Sequence, residues 1–125
     1  MGIIWIDEGQ RQGSVTLYAT NITLNSVSAI PFEHVEYARV GVDKEEGKLI
    51  IQPIPNEDLE RNDVAKSTRY IVASKKSYAR ISSSILCASI GEQLGLRLGK
   101  EPLKFPAQYI PGTGLVIDIK KGGNQ

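Results

Sequence analysis

The sequence predicts a mainly β protein with short helices, folded as one barrel-like domain from two pseudo-repeated strand-helix-hairpin units. Three observations carry this. Val, Ile, Thr and Tyr, which suit a pleated half-buried surface, gather in short runs bounded by turn residues. Two segments carry glycine-closed hairpin signals. The order of strand, capped short helix and hairpin occurs twice along the 125 residues.

Each element has a local reason. Ile3 to Ile6 reads as a short strand and Asp7 to Gly13 as a polar loop. Ser14 to Leu24 is rich in β-formers, and Asn25 with Ser26 caps a short helix running to Ile30. Pro31 limits that helix, because the residue before a proline is pushed away from helical angles. Tyr37–Val42 and Lys48–Pro53 flank Asp43–Gly47, where Gly47 supplies the left-handed residue of a hairpin loop. Pro53 and Pro55 are expected to end that second strand. Asn56 to Thr68 is charged and poor in large apolar residues, and reads as a linker with room for a short helix over Glu57–Ala65.

The second half opens with a strand over Arg69–Ser74, a basic turn at Lys75-Lys76-Ser77 and a strand over Tyr78–Ile81. Ser82, Ser83 and Ser84 offer helix caps, and Ile85, Leu86, Ile90 and Leu94 supply an apolar helical stripe. Gly91 weakens this helix and Gly95 stops it. Pro106–Ile110 and Leu115–Ile119 flank Pro111-Gly112-Thr113-Gly114, a type II turn signature. Lys120 to Gln125 reads as a polar tail.

The repeat is marked by Tyr18-Ala-Thr-Asn-Ile22 and Tyr78-Ala-Arg-Ile81, whose Tyr-Ala starts are sixty residues apart. Unit 1 is expected over residues 15–54, a linker over 55–68 and unit 2 over 69–119 of a single domain spanning 1–125. One such unit cannot cover both faces of its apolar residues, whereas two can share a core and hide their sheet edges.

This pattern resembles the swapped-hairpin AbrB/MazE/MraZ superfamily. Tyr78-Ala-Arg80-Ile81-Ser82 and the helix to Leu94 are similar to the family's opening strand and helix, and Val40 to Pro53 to its closing hairpin. Ala79 stands where the family has glycine, Ser83-Ser84 where it has Ile-Pro, and Thr20-Asn21 where the first copy would carry arginine. MraZ's Asp-x-x-x-Arg signature is absent from both units. The resemblance implies a barrel of two copies and a non-enzymatic, oligomeric, DNA-binding regulator.

Composition bounds the alternatives. Apolar residues form 41% and charged residues 23% of the chain, which excludes wholesale disorder and fibrous repeats. Every apolar run, Leu49-Ile50-Ile51 among them, is far short of a membrane helix of about 20 residues. The start of the chain carries no basic region and too short an apolar stretch for a signal peptide, and no myristoylation pattern. Cys87 is the single cysteine, which rules out an internal disulfide and fits a reducing, cytoplasmic location.

Little points to catalysis or metal. His34 is the only histidine, and neither it nor Cys87 shows the spacing of a nucleophile-base pair. Glu33, His34 and Glu36 lack a further His or Cys to complete a metal site. Gly95 to Glu101 is one residue short of a phosphate loop and puts Glu101 where Ser or Thr should stand. No cofactor is expected.

Charge is more informative. Residues 1–63 carry five basic and eleven acidic residues, a balance of −6, and residues 64–125 carry ten and three, a balance of +7. Arg69, Lys75, Lys76 and Arg80 crowd one strand-turn-strand segment, interleaved with Tyr70 and Tyr78. Arg97, Lys100 and Lys104 form a second, weaker cluster. Such residues contact phosphates in a β-type nucleic-acid reader; lysines on an edge strand also keep sheets from aggregating. The nucleic-acid-binding set is Arg69, Lys75, Lys76, Arg80 and Arg97, and five neutralised phosphates give a salt slope near −4.5. The expected partners are double-stranded DNA and further copies of the chain. The alternative is a protein-protein assembly module whose acidic and basic halves mate between chains.

Overall fold

The computed structural model describes residues 2–3, 12–55, 69–99 and 101–119. Its strands are β1 (Gly13–Leu17), β2 (Asn21–Leu24), β3 (Tyr37–Asp43), β4 (Lys48–Ile54), β5 (Arg69–Ile71), β6 (Ala73–Ser74), β7 (Ala79–Ser82), β8 (Leu103–Ile110) and β9 (Gly114–Asp118). Two short helices, α1 (Ser26–Ala29) and α2 (Ser84–Leu94), follow β2 and β7. The expected mainly β, barrel-like architecture is what the chain adopts. Of the expected Ile3–Ile6 strand only Ile3 is described, outside any strand; its other residues, the Asn56–Thr68 linker, Lys100 and the Lys120–Gln125 tail lie outside the described residues.

All nine strands form one antiparallel sheet in the order β5-β3-β4-β9-β8-β1-β2-β7-β6. The edge strands β5 and β6 are consecutive in the chain, separated by Val72 alone. Arg69 to Ser74, expected as one strand, therefore breaks in the middle and pairs with β3 on one side and β7 on the other. The Val72 amide donates to the Glu36 carbonyl at 2.9 Å, and the Lys75 amide donates to the Tyr78 carbonyl at 2.8 Å. The chain itself thus spans the seam of a nearly closed barrel, leaving little free edge to template aggregation.

Each hairpin lies between strands of the other half. β3–β4 is flanked by β5 and β9, while β8–β9 is flanked by β4 and β1. Exchanging β1 with β5/β6, β2 with β7, β3 with β8 and β4 with β9 reproduces the same ring of neighbours. The helix N-caps, Asn25 and Ser83, are fifty-eight residues apart, not sixty. Tyr18 stands in the turn three residues before β2, whereas Tyr78 immediately precedes β7, so the two Tyr-Ala pairs are not equivalent positions.

The interior is filled by alternate strand residues, as a period of two requires. Val15, Leu17, Ile22, Leu24, Leu49, Ile51, Ile81, Leu115 and Ile117 are buried, and Phe32 and Ile90 from the helical segments join the same core. Asn25 ties α1 to the barrel. Its Oδ1 accepts from the Ser28 amide at 2.9 Å and the Ser14 amide at 3.1 Å, and its Nδ2 donates to the Gln12 carbonyl at 3.0 Å. After Ala29 the chain tightens into a 3₁₀ turn over Ile30–Phe32 that accommodates Pro31.

On α2, Ser83 accepts from the Leu86 amide at 3.1 Å, and Gly95 ends the helix at φ 67°. Leu86, Cys87 and Ile90 face the core, but Ile85, expected in the buried stripe, is 83% exposed. Adjacent helical residues point about 100° apart, so Ile85 and Leu86 cannot share one narrow face. The predicted turn at Pro111-Gly112 forms with Gly112 at φ 87° and the Thr113 amide donating to the Ile110 carbonyl at 3.0 Å. β4 continues through Pro53 to Ile54, contrary to expectation. Only Lys48–Ile51 pair with β9, so Pro53 falls where that ladder has ended.

Candidate nucleic-acid interface

The outer face of the sheet can be followed from strand to strand through directly opposed residues. Lys104 on β8 faces Thr16 on β1, Thr16 faces Thr23 on β2, Thr23 faces Arg80 on β7, and Arg80 faces Ala73 on β6. Their chain neighbours Val15, Leu17, Ile22, Leu24, Ala79, Ile81 and Phe105 are buried, which places the row on the outside. Three strand steps of about 4.8 Å put Lys104 and Arg80 roughly 15 Å apart along the row.

Beside it, Tyr18, Asn21, Thr23, Tyr78 and Arg80 line an open groove. The Arg80 guanidinium carbon sits 5.4 Å from the Tyr78 ring centroid, a cation-π contact that limits its rotamers. Thr23 donates from its hydroxyl to Asn21 Oδ1 at 3.1 Å, and Asn21 Nδ2 donates to Thr20 Oγ1 at 3.3 Å. Lys75 and Lys76 occupy the turn from β6 into β7 at the margin of this face, both exposed. None of β8, β1, β2, β7 and β6 carries an Asp or Glu.

The sequence-predicted residues do not all meet here. Lys75, Lys76 and Arg80 lie on one turn and its outgoing strand. Arg69 belongs to β5, on the far side of the seam, up to about 20 Å of extended backbone from Lys75. Its partner there is Arg39, directly opposite on β3. Arg97 follows α2 beyond the Gly95 cap, exposed between Leu96 and Leu98, which pack on the core. Lys104, read from sequence only as part of a weaker cluster, joins the row. Its signal is the alternation along β8, where buried Phe105 and Ala107 imply an outward Lys104. Tyr18, Asn21 and Thr23 carry no sequence motif, and only the pairing of β2 with β7 brings them to Arg80.

Other chemistry finds no constellation. Cys87 is 1% exposed, and burial pushes its thiol above the ordinary range, which disfavours the reactive thiolate. His34 is exposed in the turn after the 3₁₀ segment. Among the described residues no group of three or more His, Cys, Asp and Glu is placed to hold a metal ion, and no helix is long and apolar enough to cross a membrane. Gly95–Gly99 forms a helix end and its exit, with the Leu96 amide donating to the Gly91 carbonyl at 2.8 Å. Searches against protein-family models, curated proteins and solved structures match nothing to this chain.

Proposed function

We propose that the protein is a non-enzymatic, duplex-DNA-binding regulator of the AbrB/MraZ kind. The reading rests above all on the acid-free outer face of β8-β1-β2-β7-β6. It offers Lys104, Arg80, Lys75 and Lys76 as phosphate contacts, with Thr16, Thr23, Asn21, Tyr18 and Tyr78 as neutral donors between them. These are the residue types that bind phosphate oxygens in protein-DNA interfaces. The mutual insertion of the two hairpins supports the likeness to the swapped-hairpin superfamily. Four cations give a shallower salt dependence than the five read from sequence.

The test is fluorescence anisotropy of a labelled duplex over a series of salt concentrations. Four neutralised phosphates predict a slope of log affinity against log salt near −3.6, and replacing Lys75, Lys76 and Arg80 by Gln reduces it by about 0.9 per residue. Absence of duplex binding at low salt removes the proposal.

Assembly of copies is the second reading, favoured by three exposed isoleucines, Ile85 at 83%, Ile71 at 68% and Ile30 at 60%. Resting on apolar contacts, it predicts sedimentation as an oligomer that persists as salt rises. A monomer throughout contradicts it. Interleaving of the two halves weakens the simpler idea of an acidic half meeting a basic one.

A further inference from the structure

We propose that the groove between Tyr18 and Arg80 seats one unpaired base of a DNA strand whose phosphates lie on the neighbouring cation row. This rests on the nucleic-acid reading of the acid-free face and names what its groove recognises. Tyr18, Asn21, Thr23, Tyr78 and Arg80 all line that one groove. Ring faces find no stacking partner on a regular duplex, whose bases stay stacked inside it, but they do find one on a base that has left the stack.

The groove has planar walls and a polar floor. Thr23 on β2 faces Thr16 on β1 and Arg80 on β7, so β2 runs between the strand that leads into Tyr18 and the strand that carries Arg80. Two strand spacings separate those backbones by roughly 10 Å, room for one flat ring with a stacking contact of about 3.5 Å on either face. On one wall the Arg80 guanidinium carbon lies 5.4 Å from the Tyr78 ring centroid. A guanidinium held there can stack on a base as well as pair a phosphate. On the other wall Tyr18 is 38% exposed, while its amide donates to the Asn21 carbonyl at 2.9 Å. The Ser83 amide donates to the Thr20 carbonyl at 3.1 Å and ties the same turn to the end of β7. The backbone under the walls is thus fixed beforehand, which lowers the ordering cost of binding.

The floor supplies hydrogen bonds. Asn21 accepts from the Thr23 hydroxyl at 3.1 Å and donates to Thr20 Oγ1 at 3.3 Å. A side-chain amide has two N–H donors and two lone pairs. Among the described residues, one of each therefore stays uncommitted on Asn21, the combination with which asparagine reads an adenine edge.

The test compares three labelled duplexes by fluorescence anisotropy at one salt concentration: fully paired, with one bulged adenine, and with an abasic bulge at the same place. The bulged adenine is expected to bind roughly tenfold or more tighter than the other two. Y18A and the bulkier Y18L bring that ratio close to one, whereas Y18F, which keeps the ring, retains it. K75Q/K76Q weakens binding of all three duplexes alike and leaves the ratio standing. With 2-aminopurine as the bulged base, binding quenches its fluorescence in wild type and Y18F but not in Y18A or Y18L, which reads stacking directly. Equal affinity for the three duplexes overturns the proposal and leaves the duplex reading in place. So does a preference shared by the abasic bulge, which reports only a more bendable backbone, or one that Y18A and Y18L retain. Binding of the bulged adenine without the paired duplex keeps the groove and removes the duplex reading, and binding of none removes both.

Discussion

Ser28 and Asn25 show how unevenly polar groups are satisfied in the first helix. Ser28 is 1% exposed and its hydroxyl has no hydrogen-bond partner among the described residues, at the place where a Cβ on Gly13 would come within 2.7 Å of it. A buried hydroxyl without a partner costs about 1–3 kcal/mol of desolvation. Ser28→Ala is therefore expected to leave stability unchanged or raise it by about 1 kcal/mol in urea unfolding. Asn25→Ala removes a cap, a tie to Ser14 of β1 and a tie to Gln12 just before it, and is expected to cost about 2 kcal/mol in the same measurement. The cap was legible from the residue type, whereas the ties to Gln12 and Ser14 were not, because they depend on where the β1–β2 turn returns the chain. Cys87 adds a pH signature. Its folded thiol titrates above the ordinary range, so its contribution is intact below that range and lost as pH climbs through it. Wild type should lose Tm relative to Cys87→Ala only in that alkaline window, and a Tm difference that does not change across it contradicts the assignment.

The elements divide into those specified locally and those specified by pairing. The two hairpins were readable because Gly47 and Gly112 supply positive φ where the chain must turn, and the halt of α2 was readable from Gly95 for the same reason. Gly95→Ala places a Cβ in the left-handed region and is expected to lower stability by about 1 kcal/mol. The break at Val72 carried no such mark. Arg69 to Ser74 has the residues of a single strand, and only its two different neighbours, β3 and β7, divide it. The buried Val72 side chain sits at that division, so Val72→Ala is expected to cost about 2 kcal/mol. Ile85 stands out of the expected apolar stripe because it lies one residue from Leu86, about 100° round the helix. Its helical phase relative to Leu86 and Ile90 gives the correct face.

For the whole molecule, the two similar halves are interlocked. Each hairpin completes its pairing only with strands of the other half, so neither half has a finished sheet of its own. The twofold order of elements was visible in the sequence, but the register was not: the Tyr-Ala pairs suggested sixty, while the capped helices stand fifty-eight apart. The candidate interface was half legible. Lys75, Lys76 and Arg80 are neighbours in sequence and remain so in space, whereas Lys104 and Tyr18 join them only through β8-β1-β2-β7 pairing. Arg69 was misplaced with them because the seam sends β5 to β3.

Interlocking makes one claim about energy that native-state hydrogen exchange reads directly. Amides of Leu49 and Ile51 on β4, Leu115 and Ile117 on β9, and Ile22 and Ile81 on β2 and β7 should all open with one shared free energy, equal to that of global unfolding. Two distinct opening free energies, one for β1–β4 and another for β5–β9, would mean that the halves fold as separate bodies and would contradict the account.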